Sequence, residues 1–160
     1  MSRLNINILV LILISLVLSL ISAYAIEFVL GHEPCNLCIY QRIPYIVSIV
    51  LILNILFFDK FNKNSLIILS IVSLLGSFLA FYHFGIEQGF FDESIVCKTN
   101  DISQSLSKEE ILRQLNQKTI SCSDVTFRLF GFSLASINTI FSFILFVIFF
   151  QLYKKYEINK

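Results

Sequence analysis

Four long runs without a charged side chain dominate this sequence. They are Leu4 to Ile26, Ile43 to Phe58, Asn64 to Ile86 and Leu129 to Tyr153, with 23, 16, 23 and 25 residues. A helix needs roughly 20 apolar residues to cross the hydrocarbon of a bilayer. Three runs reach that length alone. The second reaches it if the Cys38–Gln41 turn joins the helix and Arg42 snorkels to the interface. Backbone groups in lipid have no water to bond, so each run must satisfy its own, as a helix does. Composition agrees: 56% of the residues are hydrophobic and 14% charged, where soluble domains carry about 25% charged residues. A chain of 160 residues cannot hide that much apolar surface in a water-soluble core. The expected fold class is an all-α membrane protein, a single domain over 1–160. Its four transmembrane helices, near 6–27, 41–58, 65–86 and 130–153, form a bundle with left-handed packing. Two loops, near 28–40 and 87–129, lie on its outer side.

Basic residues near span ends orient such a bundle. The N-terminus, the loop between spans 2 and 3 and the C-terminus carry Arg3, Lys60, Lys63, Lys154, Lys155 and Lys160 against only Asp59 and Glu157. The other two loops carry six basic residues against nine acids. Both termini are therefore expected in the cytoplasm, and all four cysteines on the oxidising side, where disulfides persist. Ser22-Ala23-Tyr24-Ala25 has the small residues of a signal-peptide cleavage site, but the apolar run before it exceeds the usual length of about 7–15 residues. The first span is expected to stay. Ser107-x-x-Glu110 reads as a capping box, with Leu106, Ile111, Leu112 and Leu115 near helical spacing. A short helix lying on the membrane is expected there, with a solvated loop helix as the alternative. Tyr24, Tyr40, Tyr45 and Tyr82 fit an aromatic belt at the outer interface.

Cys35-Asn36-Leu37-Cys38 is a C-x-x-C pair, a motif that serves redox chemistry, zinc or plain structure. Pro34 precedes it, and Pro44 stands near the first turn of span 2, where proline is tolerated. Cys38 is thus expected at or just before a helix N-terminus, where the dipole favours the thiolate. A two-residue spacer closes a tight loop, and strained, exposed disulfides are the oxidising ones. Arg42, four residues beyond Cys38, opposes the helix dipole and borders lipid. It either stabilises negative charge, on the Cys38 thiolate or on a reduced quinone oxygen, or anchors the span end. Cys97 and Cys122, with 24 residues between them, either close the outer loop structurally, worth about 3–4 kcal/mol, or take part in exchange. A zinc site made from all four cysteines is disfavoured, because zinc ribbons pair two short knuckles and one pair here is split. His83 closes span 3 in Phe81-Tyr82-His83-Phe84-Gly85; a lone histidine at an interface carries no function by itself.

Cys35-Asn36-Leu37-Cys38-Ile39-Tyr40-Gln41-Arg42 resembles the first motif of the disulfide bond formation protein B (DsbB) family. Tyr82-His83, and Phe127-Arg128-Leu129-Phe130-Gly131-Phe132-Ser133-Leu134 leading into span 4, are similar too. The likeness covers nearly the whole chain. It implies a bacterial inner-membrane thiol oxidase with catalytic Cys35, Cys38, Cys97 and Cys122. Its implied partner is a periplasmic thioredoxin-fold dithiol oxidase (DsbA-like), and its implied cofactor a membrane quinone, ubiquinone or menaquinone. The partner's thiolate would attack Cys97, Cys122 would then attack Cys35, and Cys38 would pass the electrons on. Arg42 and His83 would bind the quinone. No resident metal and no nucleic-acid partner are implied. Two other readings compete: a reductase of the vitamin K epoxide reductase type, whose C-x-x-C lies near a later span, and a scaffold with structural disulfides.

Overall fold

The computed structural model describes residues 3–58, 63–92, 97, 121–123, 127–129 and 131–158. Its elements are α1 (Arg3–Phe28), α2 (Asn36–Tyr40), α3 (Arg42–Phe58), α4 (Lys63–Glu87), β1 (Arg128–Leu129), β2 (Phe132–Ser133) and α5 (Leu134–Ile158). Four stretches are long and apolar enough to cross a membrane: Ile6–Phe28, Asn36–Phe57, Asn64–Glu87 and Leu134–Lys155. The chain is a multi-pass helical membrane protein. The helix expected around Ser107–Glu110 falls outside the described residues.

One apolar core gathers Leu9 and Leu16 from α1, Ile52 from α3, Leu66 and Leu69 from α4, and Phe149 from α5. These come from the start of α1, the end of α3, the start of α4 and the end of α5, as an up-down-up-down bundle requires. Leu11, Leu18, Ile21, Leu75, Phe78 and Ile140 face outward. In water such a surface would aggregate; in lipid it is solvated.

Two boundaries differ from the sequence reading, each for a local reason. The second span does begin early, but as two helices, with a break at Gln41. Pro44 has no N–H to give the Tyr40 carbonyl, so the ladder is interrupted there. In α3 proline is the third residue, where an N–H has no intrahelical acceptor anyway. The last span starts at Leu134 rather than near 130, because Arg128 pairs with Ser133 and Leu129 with Phe132 in an antiparallel hairpin. Gly131 turns it at φ +86°, a conformation that favours glycine. Tyr45 also departs from its expected place in the interfacial belt. It is half-buried, with its ring stacked on Phe141 and its hydroxyl turned to α5.

Helices α3, α4 and α5 meet at Gly76. A Cβ there would lie 3.2 Å from Pro44 Cβ and 3.9 Å from Ser142 Oγ. Small residues at such crossings let backbones approach in lipid. Gly76→Leu is expected to destabilise the bundle by about 1–3 kcal/mol through overpacking, and Gly76→Ala by less. Thermal unfolding in detergent should show midpoints falling in that order.

Candidate active site

Gly31, at φ +71°, turns the chain after α1, and Pro34 leads into α2. Cys35 is the N-cap of α2, extended at φ −71° and ψ 165°. Its sulfur stands where serine or aspartate usually caps a helix, and the Cys38 N–H donates to it at 3.4 Å. The helix N-terminus therefore acts on Cys35. Cys38, expected to hold that position, lies one turn in. The two sulfurs are 3.2 Å apart, and both cysteines are free. The Cys35 thiol is held well below the usual thiol range, first by the hydrogen bond from the Cys38 thiol and then by His83, against the opposing effect of burial.

The pair faces two ways. On one side Cys35, Leu37 and Ile86 pack with Cys97 and Cys122 in a second buried cluster, at the opposite end of the bundle from the first, and Cys38 packs against its edge. Cys97 and Cys122 are joined by a disulfide. All four cysteines thus meet, with Cys35 and Cys38 as free thiols beside the disulfide. On the other side, Cys38 lines a cavity of about 430 Å³ between α1, the start of α3 and the start of α5. Its walls are mostly apolar; Glu27, His32, Glu33, Gln41, Arg42, Tyr45 and Asn138 are among its polar groups. Cys35 is not on its lining.

Arg42 reaches the cavity but is not alone. Its guanidinium lies 2.6 Å from Glu27 Oε2 and 4.6 Å from the centre of the Tyr24 ring. Glu27, which in sequence merely ends the first charge-free run, offsets the unfavourable placement of a cation at a helix N-terminus. It also fixes where the guanidinium points.

His83 stands beside the cysteine pair rather than on the cavity wall. It is buried behind Gln41 and is absent from the cavity lining. Its Nε2 lies 3.5 Å from Cys35 Sγ and 3.7 Å from Glu87 Oε1, and its Nδ1 lies 3.0 Å from Gln41 Nε2. Gln41 Oε1 accepts from Asn138 Nδ2 at 2.6 Å, and the Tyr45 hydroxyl donates to Asn138 Oδ1. A polar ladder thus runs from Tyr45 through Asn138 and Gln41 to His83. Sequence reasoning missed Gln41, Asn138, Glu27 and Glu87. Asn138 did leave a signal, an amide inside an apolar span, which lipid tolerates only when it is bonded to a neighbour. Asn138→Leu is expected to leave Gln41 Oε1 and the Tyr45 hydroxyl short of a partner. The cost is about 1–3 kcal/mol, read as a lower thermal midpoint in detergent.

The chemistry available is thiol–disulfide exchange between two neighbouring pairs, with a cavity beside one sulfur of the first. Comparison with known proteins points the same way. The family model described as "Disulfide bond formation protein DsbB" matches residues 5–152. A protein of Rickettsia prowazekii (strain Madrid E), "Uncharacterized protein RP370", is 33% identical over 141 residues, which cover 87% of this chain and 81% of that protein. The "SPbeta prophage-derived disulfide bond formation protein B" of Bacillus subtilis (strain 168) is 34% identical over 84 residues, 52% of this chain and 53% of that one.

Proposed function

Since the chain belongs to the DsbB family of disulfide bond formation membrane proteins, we propose that it is a quinone-dependent thiol oxidase. It reoxidises a DsbA-like dithiol protein in the periplasm from the bacterial inner membrane, with both termini in the cytoplasm. The observation that carries this reading is the two-sided C-x-x-C: Cys35 packs with the Cys97–Cys122 disulfide while Cys38 opens on the cavity.

The path is the one the family resemblance implies, and the meeting of the two pairs supports its middle step. A thiolate of the reduced partner attacks Cys97, breaking its bond to Cys122 and forming a mixed disulfide. The partner's second thiolate resolves it and leaves oxidised, so Cys97 and Cys122 now hold the two electrons as thiols. In the oxidised first pair, the Cys122 thiolate attacks Cys35, and Cys38 departs as a thiolate on the cavity side. Cys97 then displaces Cys35, which restores the Cys97–Cys122 disulfide and leaves Cys35 and Cys38 reduced. Hydrogen bonds from Cys38 and His83 favour the leaving thiolate at Cys35, and a good leaving group speeds exchange.

The cavity residues fit a quinone ring. The volume lies within the roughly 300–1,000 Å³ of small-molecule sites, the walls are apolar, and Arg42 offers a fixed donor where an oxygen gains negative charge. When bound, the quinone supplies the acceptor for two electrons and two protons. Arg42, held by Glu27 and Tyr24, orients it against Cys38; Gln41 keeps His83 on the Cys35 side.

The test is quinone reduction by purified protein in detergent supplied with a reduced DsbA-like protein. One partner disulfide should form per quinone consumed. Failure of wild type to turn over with ubiquinone or menaquinone analogues, together with a Cys35–Cys38 pair that resists mild reductant, would leave a structural scaffold instead.

A further inference from the structure

The groups around Cys35 exceed what an exchange step uses. Cys35 Sγ and Cys38 Sγ are 3.2 Å apart, Cys35 Sγ and His83 Nε2 are 3.5 Å apart, and all three donor atoms lie within 4.8 Å of one another. A tetrahedral zinc ion with Zn–S about 2.3 Å and Zn–N about 2.0–2.1 Å sets its ligands about 3.6–3.8 Å apart. The three atoms already stand near the corners of such a tetrahedron. Glu87 can supply the fourth by a change of side-chain rotamer. It is one helical turn beyond His83, its side chain is 6% exposed, and its Oε1 lies 3.7 Å from His83 Nε2. Its Oε2 is buried without a hydrogen-bond partner among the described residues. A buried carboxylate oxygen left unbonded is costly, and a cation would satisfy it.

The geometry points to a binding site for one thiophilic divalent cation, zinc, formed by Cys35, Cys38, His83 and Glu87 only when the cysteine pair is reduced. Two thiolates, an imidazole and a carboxylate suit zinc and exclude calcium and magnesium, which take oxygen ligands. Binding releases the thiol protons. It also requires the His83 proton on Nδ1; Gln41 presents Oε1 to accept it when Gln41 and Asn138 both turn their amides over, so that Asn138 Oδ1 accepts from Gln41 Nε2 and the Tyr45 hydroxyl accepts from Asn138 Nδ2. That is the second-shell partner a ligating histidine needs. The Cys35–Cys38 disulfide has no thiolate to offer, so the oxidised protein lacks the site. Zinc therefore holds the protein in its reduced form and stops the cycle, a form of regulation that rests on the oxidase reading above.

Cobalt is the probe. Wild-type protein fully reduced in detergent, and a Cys97→Ser/Cys122→Ser variant retaining only the first pair, are titrated anaerobically with Co²⁺. One equivalent should produce the intense visible bands of tetrahedral cobalt and a thiolate charge-transfer band, both abolished by one equivalent of Zn²⁺. The oxidised protein should give neither. His83→Ala and Glu87→Gln should each weaken binding about tenfold or more. Weak octahedral cobalt bands, or affinities indifferent to His83 and Glu87, mean an adventitious ion only and overturn the site. Should the double variant not fold, the reduced wild type decides alone, because the Cys35→Ser protein must then lose the bands. A second arm adds quinone to reduced protein with and without Zn²⁺. Metal-free protein should be reoxidised, and zinc-loaded protein only after a chelator is added. If metal-free protein is not reoxidised, the oxidase reading fails while the cobalt spectrum still decides the site. Equal reoxidation with zinc bound removes the regulatory role.

Discussion

Purified Cys38→Ser protein, given a reduced DsbA-like partner and a soluble quinone, is expected to reduce quinone no faster than buffer does. The fall is about three orders of magnitude or more, as when a nucleophile is removed from an enzyme that uses it covalently. The reason is placement. Cys38 is the cysteine of the pair that lines the cavity, and Cys35 is buried in the cluster that holds the Cys97–Cys122 disulfide. Without Cys38 the first pair cannot store two electrons, and no sulfur faces the acceptor. Cys35→Ser should stop turnover as completely but for a different reason, since it breaks the link to the second pair. The two variants separate in single-turnover work. Reduced Cys35→Ser retains a thiol on the cavity and should still lose its Cys38 alkylation when the cavity is filled by a quinone analogue. Substantial quinone turnover in Cys38→Ser would sink the assigned path.

Arg42→Ala is expected to raise the quinone KM about tenfold to a hundredfold, with a smaller effect on the KM for the partner protein. A hydrogen bond to a charged group is worth about 1.5–3 kcal/mol, and each 1.4 kcal/mol is tenfold. The structure supplies the control. Arg42 is paired with Glu27 on the cavity lining, so Arg42→Ala also strands a half-buried carboxylate, and lost stability could imitate lost affinity. Glu27→Gln removes the carboxylate charge and keeps the guanidinium. It should leave the quinone KM within a few-fold of wild type, and Glu27→Gln/Arg42→Ala should retain the full KM defect of Arg42→Ala. A double variant restored to wild-type KM would make Arg42 a structural partner of Glu27 and nothing more.

The spans were legible because lipid allows so few solutions. A charge-free run of 23 residues such as Leu4 to Ile26 can satisfy its backbone only as a helix, whatever its neighbours do. The C-x-x-C was legible because its spacing is local. What stayed hidden depends on partners distant in sequence. Gln41 and Asn138 stand 97 residues apart and Gln41 and His83 42 apart, and no periodicity joins them. Glu27 and Arg42 were read as two span ends, and their pairing needed the turn at Gly31 that brings α1 back beside α2 and α3. The late start of the last span was missed for a different reason. The apolar run through Leu129 and Phe132 says where lipid is tolerated, while the hairpin at Gly131 decides where the helix begins.

The ladder from His83 to Tyr45 has a consequence for biosynthesis. Its middle rung, Asn138, lies on α5, which is synthesised after α1 to α4. A nascent chain that has made α1 to α4 but not α5 already carries Cys35 and Cys38, yet lacks the amide that seats Gln41 and one wall of the cavity. Completion of the cavity and of the ladder beside Cys35 and Cys38 therefore waits for insertion of α5, and a chain stalled before it carries the cysteine pair without either.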